Sequence, residues 1–221
     1  MEDLTVLYYT SNKEGNNFEN RIKENILQVK GNLPLISVSQ KPIDFGRNIC
    51  VGEHGASGFN MFRQVQIGLR EVKTDFVIST EADCFYPPEY FQFTPPVKDL
   101  PYRNVNTWVM PQWRPWFWQK KESATHAQVI GTKFYLDRLD KLFENAPNWS
   151  IEEKNFPKER TGESDIFSNE ELKYWFCINP VVQIKTTRSM RHFTNSERIN
   201  IDSLPYWGNG VDFRNKYYGD N

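Results

Sequence analysis

The chain has 221 residues, with 27 Lys plus Arg against 28 Asp plus Glu and a formal net charge of −1. That length suits one compact domain, and the balanced charge excludes a polyanion partner recruited by bulk charge alone, so a nucleic-acid partner needs a local basic patch. Cys50, Cys84 and Cys177 are odd in number and widely spaced, with no Cys-x-x-Cys pair, which speaks against a disulfide framework and against a structural zinc site.

Taken in chain order, residues 4–12, LTVLYYTSN, form a β-branched and aromatic run that ends in polar turn residues and predicts a strand. Phe18, Ile22, Ile26 and Val29 recur at helical spacing, and Gly31 supplies a stop. Residues 34–40 predict the next strand, followed by a glycine-punctuated loop, GRNICVGEHGASG. A helix is expected over 59–72 and a strand over DFVIST, residues 75–80. Strands alternating with helices imply βαβ units and a largely parallel sheet.

The texture changes around Glu89, with prolines at 87, 88, 95, 96, 101, 111 and 115 and the aromatic segment TWVMPQWRPWFWQ. NTWVM predicts one more strand, residues 131–146 and 164–176 two helices, and residues 180–187 a late strand. The tail from Glu197 is polar and is expected to wrap the surface. No repeat, low-complexity tract or heptad seam is present. The N-terminus lacks a basic-then-apolar leader pattern, and no stretch approaches the ~20 apolar residues that span a bilayer, so a soluble, cytoplasmic protein without a membrane span is expected. Aromatic residues make up 15% of the chain with seven Trp, an excess over core needs that suggests a stacking surface.

The strand DFVIST runs directly into Glu81, Ala82 and Asp83. In open α/β sheets ligands bind beyond the carboxyl ends of the strands. Because strand side chains alternate with period two, an acid-x-acid turn there directs both carboxylates to the same side. Hard oxygen ligands of this kind suit Mg²⁺ or Mn²⁺ carrying a diphosphate. Taken in isolation, the pair also reads as a solvated turn with no role.

The first strand, the helix from Phe59 and the strand into Glu-Ala-Asp resemble the nucleotide-sugar half of GT-A glycosyltransferases, in particular family 2, where an acid-x-acid turn closes the fourth strand. Residues 48–91, NICVGEHGASGFNMFRQVQIGLREVKTDFVISTEADCFYPPEYF, are similar to small phage-like and bacterial members. The resemblance is weaker over 4–39 and patchy beyond 91. It implies an α/β fold, a single Rossmann-like αβα sandwich with a mostly parallel central sheet over 1–221. A nucleotide-sugar-binding half over 1–91 and an acceptor-binding half with the tail over 92–221 would share one sheet. It further implies an inverting, metal-dependent transfer from a nucleotide-sugar donor, UDP-linked by preference, with Mn²⁺ or Mg²⁺. The commoner motif begins with Asp, so Glu81 is a departure: its longer side chain reaches the ion, a metal-bound water or the ribose, and Asp83 is the stronger metal ligand.

His192, after the last strand, stands where such enzymes supply a further metal or phosphate contact, or is a hydrogen-bonded structural residue. Arg188, Arg191 and Arg198 either neutralise diphosphate or form a solvated basic face. Deprotonating the acceptor hydroxyl needs a carboxylate, which family enzymes carry in a Glu-Asp step. TGESDIF offers Asp165, with Glu163 as the rival base because Ser164 replaces the Glu; Ser164 or Asp165 could instead cap a helix. Tyr9, Thr10 and Ser11 end the first strand, and Ser37 and Ser39 the second, where the nucleotide lies; Arg63 reaches phosphate or is a surface charge. Trp108, Trp113, Trp116, Phe117 and Trp118 border the acceptor side by stacking, or fill the core. Cys84 reads as a small apolar filler; His126 receives no role, and His54 lies in a glycine-rich loop placed to close over the donor. The acceptor expected is a hydroxyl on hydroxymethylated phage DNA or on a bacterial glycan, within the host cytoplasm if the chain is phage-encoded. A catalytically silent sugar-nucleotide or glycan-binding module is the alternative. A nucleotidyltransferase would want a glycine-rich phosphate loop, and SNKEGNNFEN has one glycine.

Overall fold

A computed structural model describes residues 3–120, 124–152, 166–168, 170–189 and 199–219. β1 (Leu4–Thr10) is buried at every position, as its unbroken apolar and aromatic run requires of a strand covered on both faces. α1 (Asn16–Val29), β2 (Leu35–Ser39), β3 (Arg47–Cys50), α2 (Gly58–Leu69) and β4 (Phe76–Glu81) complete the first half. β1 pairs in parallel with β2 and β4, and β2 with β3. Then come β5 (Cys84–Phe85), a 3₁₀ turn (Pro88–Gln92), β6 (Pro101–Asn104), β7 (Thr107–Pro111), β8 (Phe117–Gln119), β9 (Gln128–Gly131) and α3 (Thr132–Leu142). β10 (Lys173–Trp175), β11 (Val181–Lys185), β12 (Asn200–Ile201), β13 (Ser203–Leu204), β14 (Gly208–Asn209) and α4 (Gly210–Tyr217) follow.

The main sheet has the order β10-β6-β9-β4-β1-β2-β3, with β9 antiparallel to both neighbours. Period-two alternation divides its side chains between two cores. Val6, Tyr8, Phe76, Ile78 and Val129 join Phe18, Ile22 and Ile26 of α1 on one face. Leu7, Tyr9, Val77 and Ile130 join Phe59, Phe62 and Val65 of α2 and Tyr135 and Leu139 of α3 on the other. Close approach of α2 depends on Gly68, where a Cβ would stand 2.5 Å from Leu7 Cδ1 and 3.0 Å from Val38 Cγ2. The chain thus adopts the expected αβα sandwich around a mostly parallel sheet. The acid-x-acid turn closes its fourth strand, β4.

Four expectations need correction. The glycine-punctuated loop contains β3, a four-residue edge strand whose half-exposed side chains carry no apolar pattern. The helix expected over 164–176 is absent from the residues described there, and Lys173–Trp175 is β10, parallel to β6. Phe167 and Leu172 enter the α2/α3 core, whereas Trp175 stacks on Phe93 at 4.4 Å on the opposite side. One helical face cannot serve both cores. The second half is not built on the main sheet alone: a five-stranded sheet, β12-β8-β7-β11-β5, packs on the α1 face. Finally, the tail does more than wrap the surface, since Leu204, Trp207 and Phe213 are buried in that same core.

Candidate functional site at the carboxyl edge of the sheet

β1 and β4 end together, with Tyr9 in register with Glu81. Tyr9 Oη donates to Glu81 Oε1 at 2.9 Å. The Glu81 backbone N–H donates to Tyr86 Oη at 3.0 Å, and that hydroxyl donates to the His126 carbonyl at 2.9 Å. Asn25 of α1 grips the Tyr86 backbone with both ends of its amide, donating to the carbonyl at 3.2 Å and accepting from the N–H at 2.9 Å. The turn between the acids is therefore fixed from below.

Asp83 faces β11. Its Oδ2 accepts from Gln183 Nε2 at 2.9 Å, its Oδ1 from the Cys84 thiol at 3.2 Å, and its carbonyl from Ile184 N–H at 2.8 Å. Glu14 accepts the Thr186 hydroxyl on both carboxylate oxygens, and Glu19 accepts the Thr10 hydroxyl at 2.9 Å. Burial raises Glu14, and the charge of Asp83 adds to that. Burial first and the Asp83 charge second push Glu81 up to about 7, against the opposing effects of the Tyr9 hydrogen bond and of Lys185 and Lys120. Lys120 is pushed down to about 8 by burial and by the like charge of Lys185. Both lysines thus act on the acid pair. The backbone carries them there from opposite strands: Lys120 N–H donates to Thr107 O at the end of β8, and Lys185 ends β11, its carbonyl accepting from Gln112 N–H at 2.9 Å.

Among the described residues, Glu81, Cys84 and His126 each offer a ligand atom, all within 4.8 Å of one another. His126 is 3% exposed, and its Nε2 has no hydrogen-bond partner. Burial and the charges of Lys120, Lys185 and Arg103 hold its pKa well below the ordinary imidazole value, so the ring is neutral. Burial, then Asp83 and Glu81, raise the Cys84 thiol.

No family model and no curated protein matches the chain. Among solved structures it is similar to a glycosyltransferase involved in the glycosylation of the major capsid of PBCV-1, at 12% identity and a TM-score of 0.45 over 88% of this chain and 95% of that one. It is similar to the bifunctional IspDF from Campylobacter jejuni, at 11% identity and 0.41, over 79% of this chain and 49% of that one. A third is the glycosyltransferase GlyE of Streptococcus pneumoniae TIGR4, at 10% and 0.45, over 79% and 45%. The chain spans about half the length of the last two. At these identities and scores the likenesses assign no activity.

Of the residues singled out from sequence, Tyr9, Thr10, Glu81, Ala82 and Asp83 meet at this edge, with half-buried Ser11 following β1. Ser37 and Ser39 lie on β2 with their hydroxyls donating to the carbonyls of Phe45 and Lys41, and Asn48 Nδ2 donates to both hydroxyls. Arg63 lies elsewhere: its guanidinium donates to the carbonyls of Asn148 and Pro147 and to Gln66 Oε1, and it covers the Phe143 ring at 3.8 Å. That engagement ties α2 to the segment after α3. Arg188 donates to Lys13 O beside Glu14. Asp165, Glu163, His192, Arg191 and Arg198 lie outside the described residues.

The aromatic segment divides. Phe117 and Trp118 are buried, Trp108 is half-buried and donates from Nε1 to Asn106 Oδ1, and Trp113 and Trp116 are 52% and 49% exposed. Trp113 follows Gln112, whose backbone N–H donates to the Lys185 carbonyl. His54 stacks on Trp149 at 4.0 Å, flanking an open hollow of about 420 Å³ also lined by Ile151 and Glu152. A smaller hollow of about 190 Å³, lined by Leu4, Phe76, Phe91 and Phe93, lies by the start of β1 and β4, at the opposite end of the sheet. Neither is lined by Glu81 or Asp83. Sequence reasoning missed Lys120, Lys185, Gln183 and His126; the strand ending at Lys185 was the one available signal, since a residue at that end faces the ligand edge.

Proposed function

We propose that this protein is a glycosyltransferase that moves a sugar from a nucleoside-diphosphate donor to an acceptor hydroxyl, with inversion, at the edge formed by β1, β4 and β11. The observation that carries the reading is the half-buried acid pair, Glu81 and Asp83, at the carboxyl end of β4, with Lys120 and Lys185 acting on it. Two carboxylates whose burial, and then mutual repulsion, raise one of them to about 7 are a donor set that a hard divalent cation relieves, so the residues fit Mn²⁺ or Mg²⁺. Asp83 and Glu81 would hold it, and when bound it supplies Lewis-acid stabilisation to the departing diphosphate.

The chain's own groups do the rest. Tyr9 orients Glu81 through its hydroxyl, and Gln183 orients Asp83. Lys120 and Lys185 neutralise charge that develops on the leaving diphosphate oxygen. Asp165, or Glu163, takes the acceptor hydroxyl proton as the new bond to the anomeric carbon forms and the bond to the diphosphate breaks. The exposed rings of Trp113 and Trp116 flank the acceptor, a glycan or hydroxymethylated DNA, by stacking.

The test is release of UDP from UDP-glucose in Mn²⁺. Asp83→Asn should lower the rate by about a hundredfold or more, and Asp165→Asn should bind donor normally yet fail to transfer. Donor binding with no turnover in the wild-type protein, across several nucleotide sugars, replaces this reading with that of a silent binding module.

A further inference from the structure

We propose that Glu81, Cys84 and His126 form a second cation site, beneath the acid pair, selective for a borderline thiophilic ion of the Zn²⁺ or Co²⁺ class. One oxygen, one sulfur and one imidazole nitrogen gather within 4.8 Å, a donor set that hard Mg²⁺ does not favour and Zn²⁺ does. Bonds of about 2.0 to 2.3 Å give ligand separations of about 3.5 Å, so closure needs side-chain shifts of about 1 Å. The pointer to a ligand is His126. Its Nε2 is a buried polar atom without a partner, and a native interior leaves few such atoms unexplained. Cys84 is fully buried and donates its thiol proton to Asp83 Oδ1 at 3.2 Å. On binding, that proton leaves to solvent and the sulfur enters as thiolate, with water as the fourth ligand.

The site does not depend on the transferase reading, although the two share Glu81. Cobalt titration in a Cys50→Ser background, which removes the exposed thiol, tests it directly, because thiolate ligation alone produces a sulfur-to-cobalt charge-transfer band in the near ultraviolet. One equivalent of Co²⁺ should generate the band. Cys84→Ala should abolish it, and His126→Gln should weaken Co²⁺ binding by about tenfold or more. Asp83→Asn should keep the band while losing Mn²⁺-dependent donor hydrolysis, so each idea can fail without the other. Absence of the band, or its persistence in Cys84→Ala, overturns the site. If Cys84→Ala does not fold, undiminished affinity and band in His126→Gln overturn it equally.

Discussion

Glu81 is the side chain on which the site's electrostatics converge. Its folded-state pKa, about 7, lies above the ordinary 4.5, chiefly through burial and then through Asp83. Between those two values the folded chain binds more protons at this group than the unfolded chain does, so this residue's contribution to stability falls as pH rises through the window. The full shift corresponds to roughly 3 kcal/mol at most, and contact with solvent reduces it. In chelator, Glu81→Gln should match the wild type near pH 4 and melt at a higher temperature near pH 8; thermal melts at both pH values showing an equal difference would refute the assignment. The position of this residue at the end of a buried strand was legible from an apolar run that stops on acids. Its partners were not. Lys120 and Lys185 are separated from it by 39 and 104 positions, and the second sheet brings them in, whereas His126, 45 positions away, arrives just before β9 of the main sheet. Arg63 shows the reverse case: a basic residue in a matching segment, whose guanidinium is occupied by Pro147, Asn148 and Gln66.

At the scale of elements, α1 and α2 could be read from their helical period, and β1, β2 and β4 from short apolar runs that burial on both faces requires. β3 and β10 could not, because short edge strands take their conformation from neighbours that sequence does not place beside them. The contact that makes these elements into a site is the one between α1 and the acid turn, through Asn25. Its side chain is 6% exposed and satisfies both polar groups of the Tyr86 backbone, while the Tyr86 hydroxyl bonds Glu81 and His126. Asn25→Leu keeps the volume and leaves a buried N–H and carbonyl unsatisfied, at roughly 1 to 3 kcal/mol each. Denaturant unfolding should therefore show a loss of about 2 to 6 kcal/mol, together with weaker Mn²⁺ binding because the turn loosens. A loss of stability with Mn²⁺ affinity intact would mean that the acids are positioned by β4 and β11 alone.

For the whole molecule, the decisive feature is that the chain's last elements complete the core begun by its first. Phe213 of α4 is 1% exposed, with ring centroids 5.5 Å from Phe85, 5.4 Å from Phe117, 5.4 Å from Trp207 and 4.8 Å from Tyr217. Phe85 follows the acid turn on β5 and also contacts Phe18 of α1. One aromatic cluster thus links α1, the acid turn, the second sheet and α4. If the proposed donor and acceptor halves were independent folding units, removing Phe213 would melt the second half and leave the first standing. Because the cluster is shared, Phe213→Ala should instead destabilise the whole chain by about 3 to 5 kcal/mol, with tryptophan fluorescence and far-ultraviolet circular dichroism tracing one transition at the same denaturant concentration. Two separated transitions, with the earlier one alone shifted by the substitution, would show that the halves fold apart and that the acid pair does not depend on the tail for its placement.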